Sequence, residues 1–579
     1  MQRLLSLLAA TSMAFVTISA VQPPPTLPPR PDARPSEVLC DNDRGETPPY
    51  SSGSGSSATA APMMLPSLPP PPPPAPRMAL PTVAYESAAD VVASSPVPLP
   101  NLVAPSQIEN RERYAGKEVA AVQRVVDSPV STFSIDVDTG SYSNARRFLV
   151  DGGLPPKDSV RTEEFLNYFR YDYPRPADAS RPFSVTTDVA RTPWNADTRL
   201  LRIGIRGYDV PRESRPAANL VFLIDVSGSM DEPDKLPLVK AALTGLADQL
   251  NPADRVSIVV YAGAAGAVLK PTADKAAVKA AIACLDAGGS TAGGEGIELA
   301  YAMARKAFLK DGINRVILCT DGDFNVGTTS DEALQALVKK QRDSGITLTT
   351  LGFGTGNFND SMMEKIADVG NGNYGYVDSA MEARKLLDEE LSSTLFTIAQ
   401  DVKIQVEFNP ALIAEYRLVG YENRALREED FANDQVDAGD IGAGHQVTAL
   451  YEIVPAGGKG WLSDRRYDSA RPVAASRTDE AAWLKLRYKL PGEATSRLIE
   501  QPIAAGQIAA AGSATGDFAF AAAVGAFGQR LRGDTALGNF SLADIRTLAG
   551  SGNDDTRREF LKLVSLAEGR KLASREGSQ

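Results

Sequence analysis

Asp225, Ser227 and Ser229 stand at two-residue spacing directly after five apolar residues, Leu220 to Ile224. An unbroken apolar run of this kind reads as a strand buried on both faces, as in a parallel sheet. Its exit presents one carboxylate and two hydroxyls on a tight turn containing Gly228. These are hard oxygen donors, suited to Mg²⁺ and poorly suited to a soft metal. Two later stretches offer the same chemistry. Thr291 lies in a glycine-dense loop, Gly288-Gly-Ser-Thr-Ala-Gly-Gly, and Asp321 ends a second apolar run through Cys319 and Thr320.

These residues meet only if the chain between them folds as a sheet with its strand ends at one edge. From Ala218 to about Gln400 strand-like and helix-like segments alternate. Strands are expected at Asn219–Asp225, Arg255–Tyr261, Ala267–Lys270, Arg315–Thr320, Ile346–Phe353 and Tyr374–Val377. The helices between them are expected to include Lys235–Leu250, Gly296–Lys310 and Asp360–Val369, with a last one over Met381–Ile398. This is the pattern of a doubly wound, mostly parallel α/β sheet. Ligands bind such sheets where the carboxyl ends of strands splay apart. Three loops then offer Asp225, Ser227, Ser229, Thr291 and Asp321 to one cation. Protein ligands alone leave an octahedral Mg²⁺ short of six, so water or a partner's oxygen must complete it.

The three-part pattern resembles the von Willebrand factor type A (VWA) domain and its metal-ion-dependent adhesion site (MIDAS), with all five motif positions matched over about 180 residues. The resemblance implies that Ser227, Ser229 and Thr291 contact a divalent cation, Mg²⁺ with Mn²⁺ or Ca²⁺ as alternatives, through their hydroxyls. Asp225 and Asp321 would supply charge directly or through water. The open position would take an acidic side chain from a partner protein. Glu295, Asp323, Asp231 and Asp234 share these loops; they read as solvated loop residues, with tuning of the site as the alternative. The flanks resemble exported bacterial proteins in which a VWA domain sits between an associated N-terminal segment, here including Ser134-Ile-Asp-Val-Asp-Thr-Gly-Ser, and a C-terminal domain of unknown function.

The resulting organisation is a signal peptide over residues 1–20, a Pro/Ala/Ser-rich disordered tether over 21–112, and an N-terminal segment over 113–215. The VWA domain follows over 216–400, then a β-rich region over 401–495 and a helical C-terminal region over 496–579. The segments Phe183–Val189 and Leu200–Arg206 are too few strands for a stable sheet of their own. They are expected to pair with strands after Gln400, so that the VWA domain is an insertion in a β-sandwich.

Composition removes several functions. The 579 residues carry a net charge of −12 and no long basic run, which argues against nucleic-acid binding. There is a single histidine, His445; His-based zinc sites need histidines at set spacings, and a Ser-His-Asp hydrolase would have to use His445, which reads as an ordinary strand-end residue. Three cysteines make a poor disulfide framework, and Cys40 follows the N-terminal apolar stretch too distantly for a lipoprotein anchor. The stretch Leu4–Val21, diluted by Ser and Thr and carrying Ile18-Ser-Ala near its end as a cleavage site, fits export to a periplasm or cell envelope. The Ala-rich segment Phe518–Phe527 is too short to span a bilayer, so no transmembrane helix is expected in the mature chain.

Two other readings remain. Asp138-Thr-Gly-Ser matches the signature of an aspartic-type hydrolase, which needs a second carboxylate that no second copy of the motif provides. The alternative for those residues is a helix cap. The chain also fits a structural cell-envelope protein whose metal site stays unfilled. The expected function is an exported, metal-dependent protein-binding module rather than an enzyme.

Overall fold

The computed structural model describes residues 111–576 apart from 177–179, 212–213, 289–292, 323–330, 391–395, 464 and 467–477. The readings of residues 1–110, of Thr291 and of Asp323 therefore lie outside the described residues.

The N-terminal segment carries strands β1 (Gln123–Arg124) and β2 (Val130–Ser134), helices α1 (Gly140–Val150) and α2 (Thr162–Tyr168), and strands β3 (Phe183–Thr192) and β4 (Asn195–Gly207). The doubly wound layer follows with β5 (Ala218–Asp225), α3 (Leu236–Asp248), β6 (Arg255–Tyr261), β7 (Ala265–Thr272), α4 (Lys275–Ala283) and α5 (Gly293–Lys306). It continues through β8 (Ile313–Thr320), α6 (Asp331–Asp343), β9 (Thr347–Phe353), α7 (Asp360–Val369), β10 (Tyr374–Val377) and α8 (Ala380–Arg384). Its strand order is β10-β9-β8-β5-β6-β7, parallel except for β7.

All eight residues of β5 are buried, as an unbroken apolar run requires of a central strand. Leu220, Phe222 and Ile224 enter a core shared with Val239, Leu243 and Ile282 of α3 and α4. Val221 and Leu223, pointing the other way, pack with Ile297, Tyr301, Val338 and Ile366 of α5, α6 and α7. Period-two alternation thus fastens both helical layers to one strand. Each such side chain contributes roughly 1.5–3 kcal/mol by burial.

Past this layer come β11 (Thr397–Phe408), β12 (Ile413–Val419), β13 (Ala425–Leu426), β14 (Gly439–Gly442), β15 (Gln446–Pro455), β16 (Glu480–Lys489) and β17 (Arg497–Ala504). One sheet of the sandwich runs β1-β12-β15-β4-β3 and the other β13-β2-β11-β16-β17, with β14 also on β11. β4 pairs antiparallel with β15 over Arg199–Arg206, and β2 with β11, so strands from before and after the doubly wound layer complete one another. The layer is therefore an insertion, and Phe133, Leu201, Ile404, Val447 and Leu484 share the sandwich core.

Helices α9 (Ala505–Ala509), α10 (Gly516–Arg532), α11 (Leu542–Ala549) and α12 (Asp555–Glu576) close the chain. Phe520 and Phe527 of α10 and Phe560 of α12 form an aromatic core with Phe165 and Phe169, which packs on Leu200 and Leu450 of the sandwich. Among the described residues no helix is long and apolar enough to cross a membrane.

Three expectations need correction. Apolar residues at i, i+3 and i+4 over Arg161–Tyr171 predict a helix, but it stops at Tyr168. Gln446 of β15 takes both backbone groups of Tyr171, accepting its N–H at 2.8 Å and donating to its carbonyl at 2.9 Å, which replaces the helical bonds. The helix expected over Met381–Ile398 does not reach its end, because Thr397 already opens β11 opposite Gly442. Strand β17 was not foreseen; as an edge strand it buries Ile503 alone, and Pro502 interrupts its pattern.

Candidate metal centre at the exit of the central strand

The parallel register sets Asp225 beside Tyr261 of β6, while Ile224 pairs with Cys319 of β8, so Thr320 and Asp321 emerge at the same edge. Asp225 is fully buried. Its Oδ1 accepts the Ser227 N–H at 2.9 Å, and its Oδ2 accepts from the Tyr261 and Thr320 hydroxyls, each at 3.1 Å. Burial pushes its pKa up to about 6, with Asp321 adding in lesser part, against the hydrogen bonds from Ser227 and Thr320. A carboxylate that is costly to ionise alone gains from a cation placed against it.

After Asp225 the chain turns sharply. The Met230 N–H donates to the Ser227 carbonyl at 2.9 Å, which brings the Ser227 and Ser229 hydroxyls to 3.1 Å of each other. Ser227 is buried and Ser229 exposed, so the pair forms one wall and one lip of the site. Val226 fixes this turn twice: its N–H donates to Tyr261 and its carbonyl accepts the Gly288 N–H at 2.7 Å. The second bond ties the start of the glycine-dense loop to the turn, although Thr291 itself lies outside the described residues.

Asp321 is also fully buried, and its Oδ2 lies 3.2 Å from the ammonium of Lys235. Gly322 follows with φ +90°, where a side chain would meet the backbone of Phe358 and Asn359. Only glycine lets this loop lie on the next one. Tyr261, Thr320 and Lys235 were missed by reasoning from the motif. The register Asp225↔Tyr261 was the available signal for the first.

Of the remaining loop acids, Glu295 and Asp231 are exposed and Asp234 half-buried, as solvated loop residues are. Among the described residues no three His, Cys, Asp or Glu side chains cluster as a metal site. What the edge assembles is a set of hard oxygens with two carboxylates, a donor set that fits a divalent cation such as Mg²⁺.

The Asp138 motif does not form a catalytic site. Burial and the adjacent Asp136 push its pKa well up, yet both oxygens are committed: Oδ1 accepts the Tyr374 N–H at 2.8 Å and Oδ2 accepts from Arg424 at 3.0 Å. A side chain at Gly140 would collide with the Tyr374 ring. The motif is a joint between α1 and β10. The capping role considered for Asp138 or Thr139 is not observed either, since Thr139 precedes α1 without a side-chain cap bond. His445 is a buried residue just before β15, its pKa pushed down to about 3 by burial and by Arg170 and Lys385, and its backbone links Gly207 and Gly442.

Three family descriptions match in tandem: von Willebrand factor over residues 108–202, von Willebrand factor type A domain over 219–389, and the C-terminal region of the uncharacterized protein YfbK over 393–569. YfbK of Escherichia coli K12 is 47% identical over 470 residues, covering 79% of this chain and 81% of its own length. A Synechocystis protein, sll0103, is 34% identical over 187 residues, 32% of this chain and 43% of the relative. Among solved structures, a von Willebrand factor type A protein from Catenulispora acidiphila is 18% identical, covering 60% of this chain and 77% of that one at a TM-score of 0.35. The chain belongs to the YfbK family of von Willebrand factor type A domain proteins.

Proposed function

We propose that this is an exported, metal-dependent protein-binding module of a periplasm or cell envelope. Ser227, Ser229 and Thr291 hold a divalent cation by their hydroxyls, Asp225 and Asp321 supply charge, and a carboxylate of a partner protein completes the coordination shell. Mg²⁺ suits the hard oxygen donors, with Mn²⁺ and Ca²⁺ as alternatives. The carrying observation is the convergence of Asp225, the Ser227–Ser229 hydroxyl pair and Asp321 at one sheet edge, with Gly288 bonded to Val226.

The cation supplies an electrophilic centre for an incoming carboxylate. The chain's own residues orient it: Tyr261 and Thr320 hold one oxygen of Asp225, and the Ser227 N–H holds the other. Hydroxyl ligands add no charge, so the ion keeps affinity for the partner's anion, which is a device for capture.

Isothermal titration of the full chain with Mg²⁺ and with Mn²⁺ tests the site, and pull-down from an envelope extract with Mg²⁺ and then EDTA tests the capture. Asp225→Ala is expected to abolish the heat and the Mg²⁺-dependent capture. Absence of heat with the wild type would favour a structural envelope role. Capture retained in EDTA would end the metal-dependent reading.

A further inference from the structure

Lys235 is buried to 3% exposure, which is unusual for an ammonium. Its Nζ stands 3.2 Å from Asp321 Oδ2 and 3.8 Å from the exposed Glu232. Its aliphatic stem runs beneath Gly354, just past the end of β9, where φ is +70° and an added Cβ would lie 2.2 Å from the lysine Cε. The Gly354 carbonyl is held in turn by the Tyr376 hydroxyl at 2.7 Å. The lysine stem thus packs where residue 354 has no side chain and places one positive charge against one of the two carboxylates at this edge.

We infer that Lys235 is the positioning residue that sets the cation affinity of the site, its ammonium and the divalent ion competing for the charge of Asp321. This rests on the metal-binding reading above and adds a control to it. An ammonium beside Asp321 repels an incoming cation and uses part of the negative charge that would hold it. The ion is therefore bound more weakly than the two acids alone would bind it. That weakness keeps the ion short of charge and receptive to a partner's carboxylate. By linkage, whatever the ammonium costs the ion, the ion costs the ammonium.

Lys235→Met keeps the stem beneath Gly354 and removes the charge. It is expected to bind Mn²⁺ and Mg²⁺ on the order of tenfold or more tightly than the wild type, given how strongly a unit charge acts within a few ångström. In EDTA the same variant is expected to melt below the wild type, because the Lys235–Asp321 ion pair is removed, and saturating Mn²⁺ is expected to narrow that gap. Lys235→Gln, which can still donate to Asp321, provides a second neutral variant should the methionine form fold poorly. Affinity unchanged or lowered in the neutral variants, in a wild type that does bind, would overturn the inference alone. No heat from wild type or variants would overturn the metal site and the inference together.

Discussion

Two stretches of this chain pair an aspartate with nearby hydroxyls, and they end as opposites. At Asp138–Ser141 the carboxylate and the serine are consumed internally. Asp138 bonds to Tyr374 and Arg424, the Ser141 N–H donates to Glu164 at 2.7 Å, and the Ser141 hydroxyl donates to Ser159 at 2.6 Å while accepting the Arg161 N–H. At Asp225–Ser229 the carboxylate is held from behind, while the two hydroxyls bond each other and one is exposed. Motif composition does not separate the two. The separating fact is what faces each acid: the Arg424 guanidinium at Asp138, the Tyr261 and Thr320 hydroxyls at Asp225.

The guanidinium side is extensive. Arg161 joins Glu164 to Asp360 and Glu364, Arg424 joins Asp138 to Asp368, and Arg146 joins Asp378 to Glu382. Each pins α7, β10 or α8 of the inserted layer to the segment around α1 and α2 or to the sandwich. Removing one partner of a buried pair strands the other charge at a cost of about 3–5 kcal/mol. Arg161→Ala is therefore expected to have the largest effect on stability, seen as a large fall in the denaturation midpoint. A loss below about 1 kcal/mol would show that this joint contributes no more than a surface pair.

A smaller effect should appear on changing pH. Asp440 lines a cavity of about 290 Å³ between the inserted layer and the sandwich, along with Arg315, Asp437 and His445. Burial, then Asp401 and Asp437, push its pKa up to about 7. Because its folded pKa is raised, the native state keeps a proton that the unfolded chain has released. The stability tied to that proton is lost as pH rises through 7. His445, with its folded pKa depressed to about 3, acts oppositely, but only below about 6.5. Between pH 6.5 and 8, in EDTA, stability is expected to fall by up to about 1 kcal/mol from Asp440 alone. Asp440→Asn should flatten the slope, and an equally steep slope in the variant would show that other groups carry it.

The doubly wound layer was legible because it is built from local signals: apolar runs for β5 and β8, 3.6-residue periodicity for its helices, and strand ends carrying acids. Three strand or helix ranges, Arg255–Tyr261, Asp360–Val369 and Tyr374–Val377, coincide with the observed elements. What sequence could not reveal was decided across long separations. Gln446 halts α2 from 275 positions away, and the role of Asp138 depends on Arg424, 286 positions on. At the metal edge the motif residues were legible but their controls were not. Lys235 reads as an ordinary helix-start lysine until its stem is seen packed on Gly354 and its ammonium beside Asp321.

The smallest stability effect should come from Ser229, at the lip of the site. Ser229 is exposed and its hydroxyl shares one bond with Ser227, so Ser229→Ala is expected to change stability by no more than about 0.5 kcal/mol in EDTA. Asp225→Ala is a blunter probe. It deprives the Ser227 N–H and two buried hydroxyls of an acceptor and should cost about 1–3 kcal/mol. Both variants are expected to lose the Mn²⁺ titration heat, which separates ligand loss from fold loss. A Ser229→Ala protein that unfolds at the wild-type midpoint yet binds Mn²⁺ with unchanged affinity would remove Ser229 from the ligand set. The contrast with the Asp138 motif would then rest on Asp225, Ser227 and Asp321. A variant stable as the wild type but blind to Mn²⁺ would place the difference between the two motifs in uncommitted hydroxyl groups, which α1 and its neighbours have used up and the turn after β5 has kept.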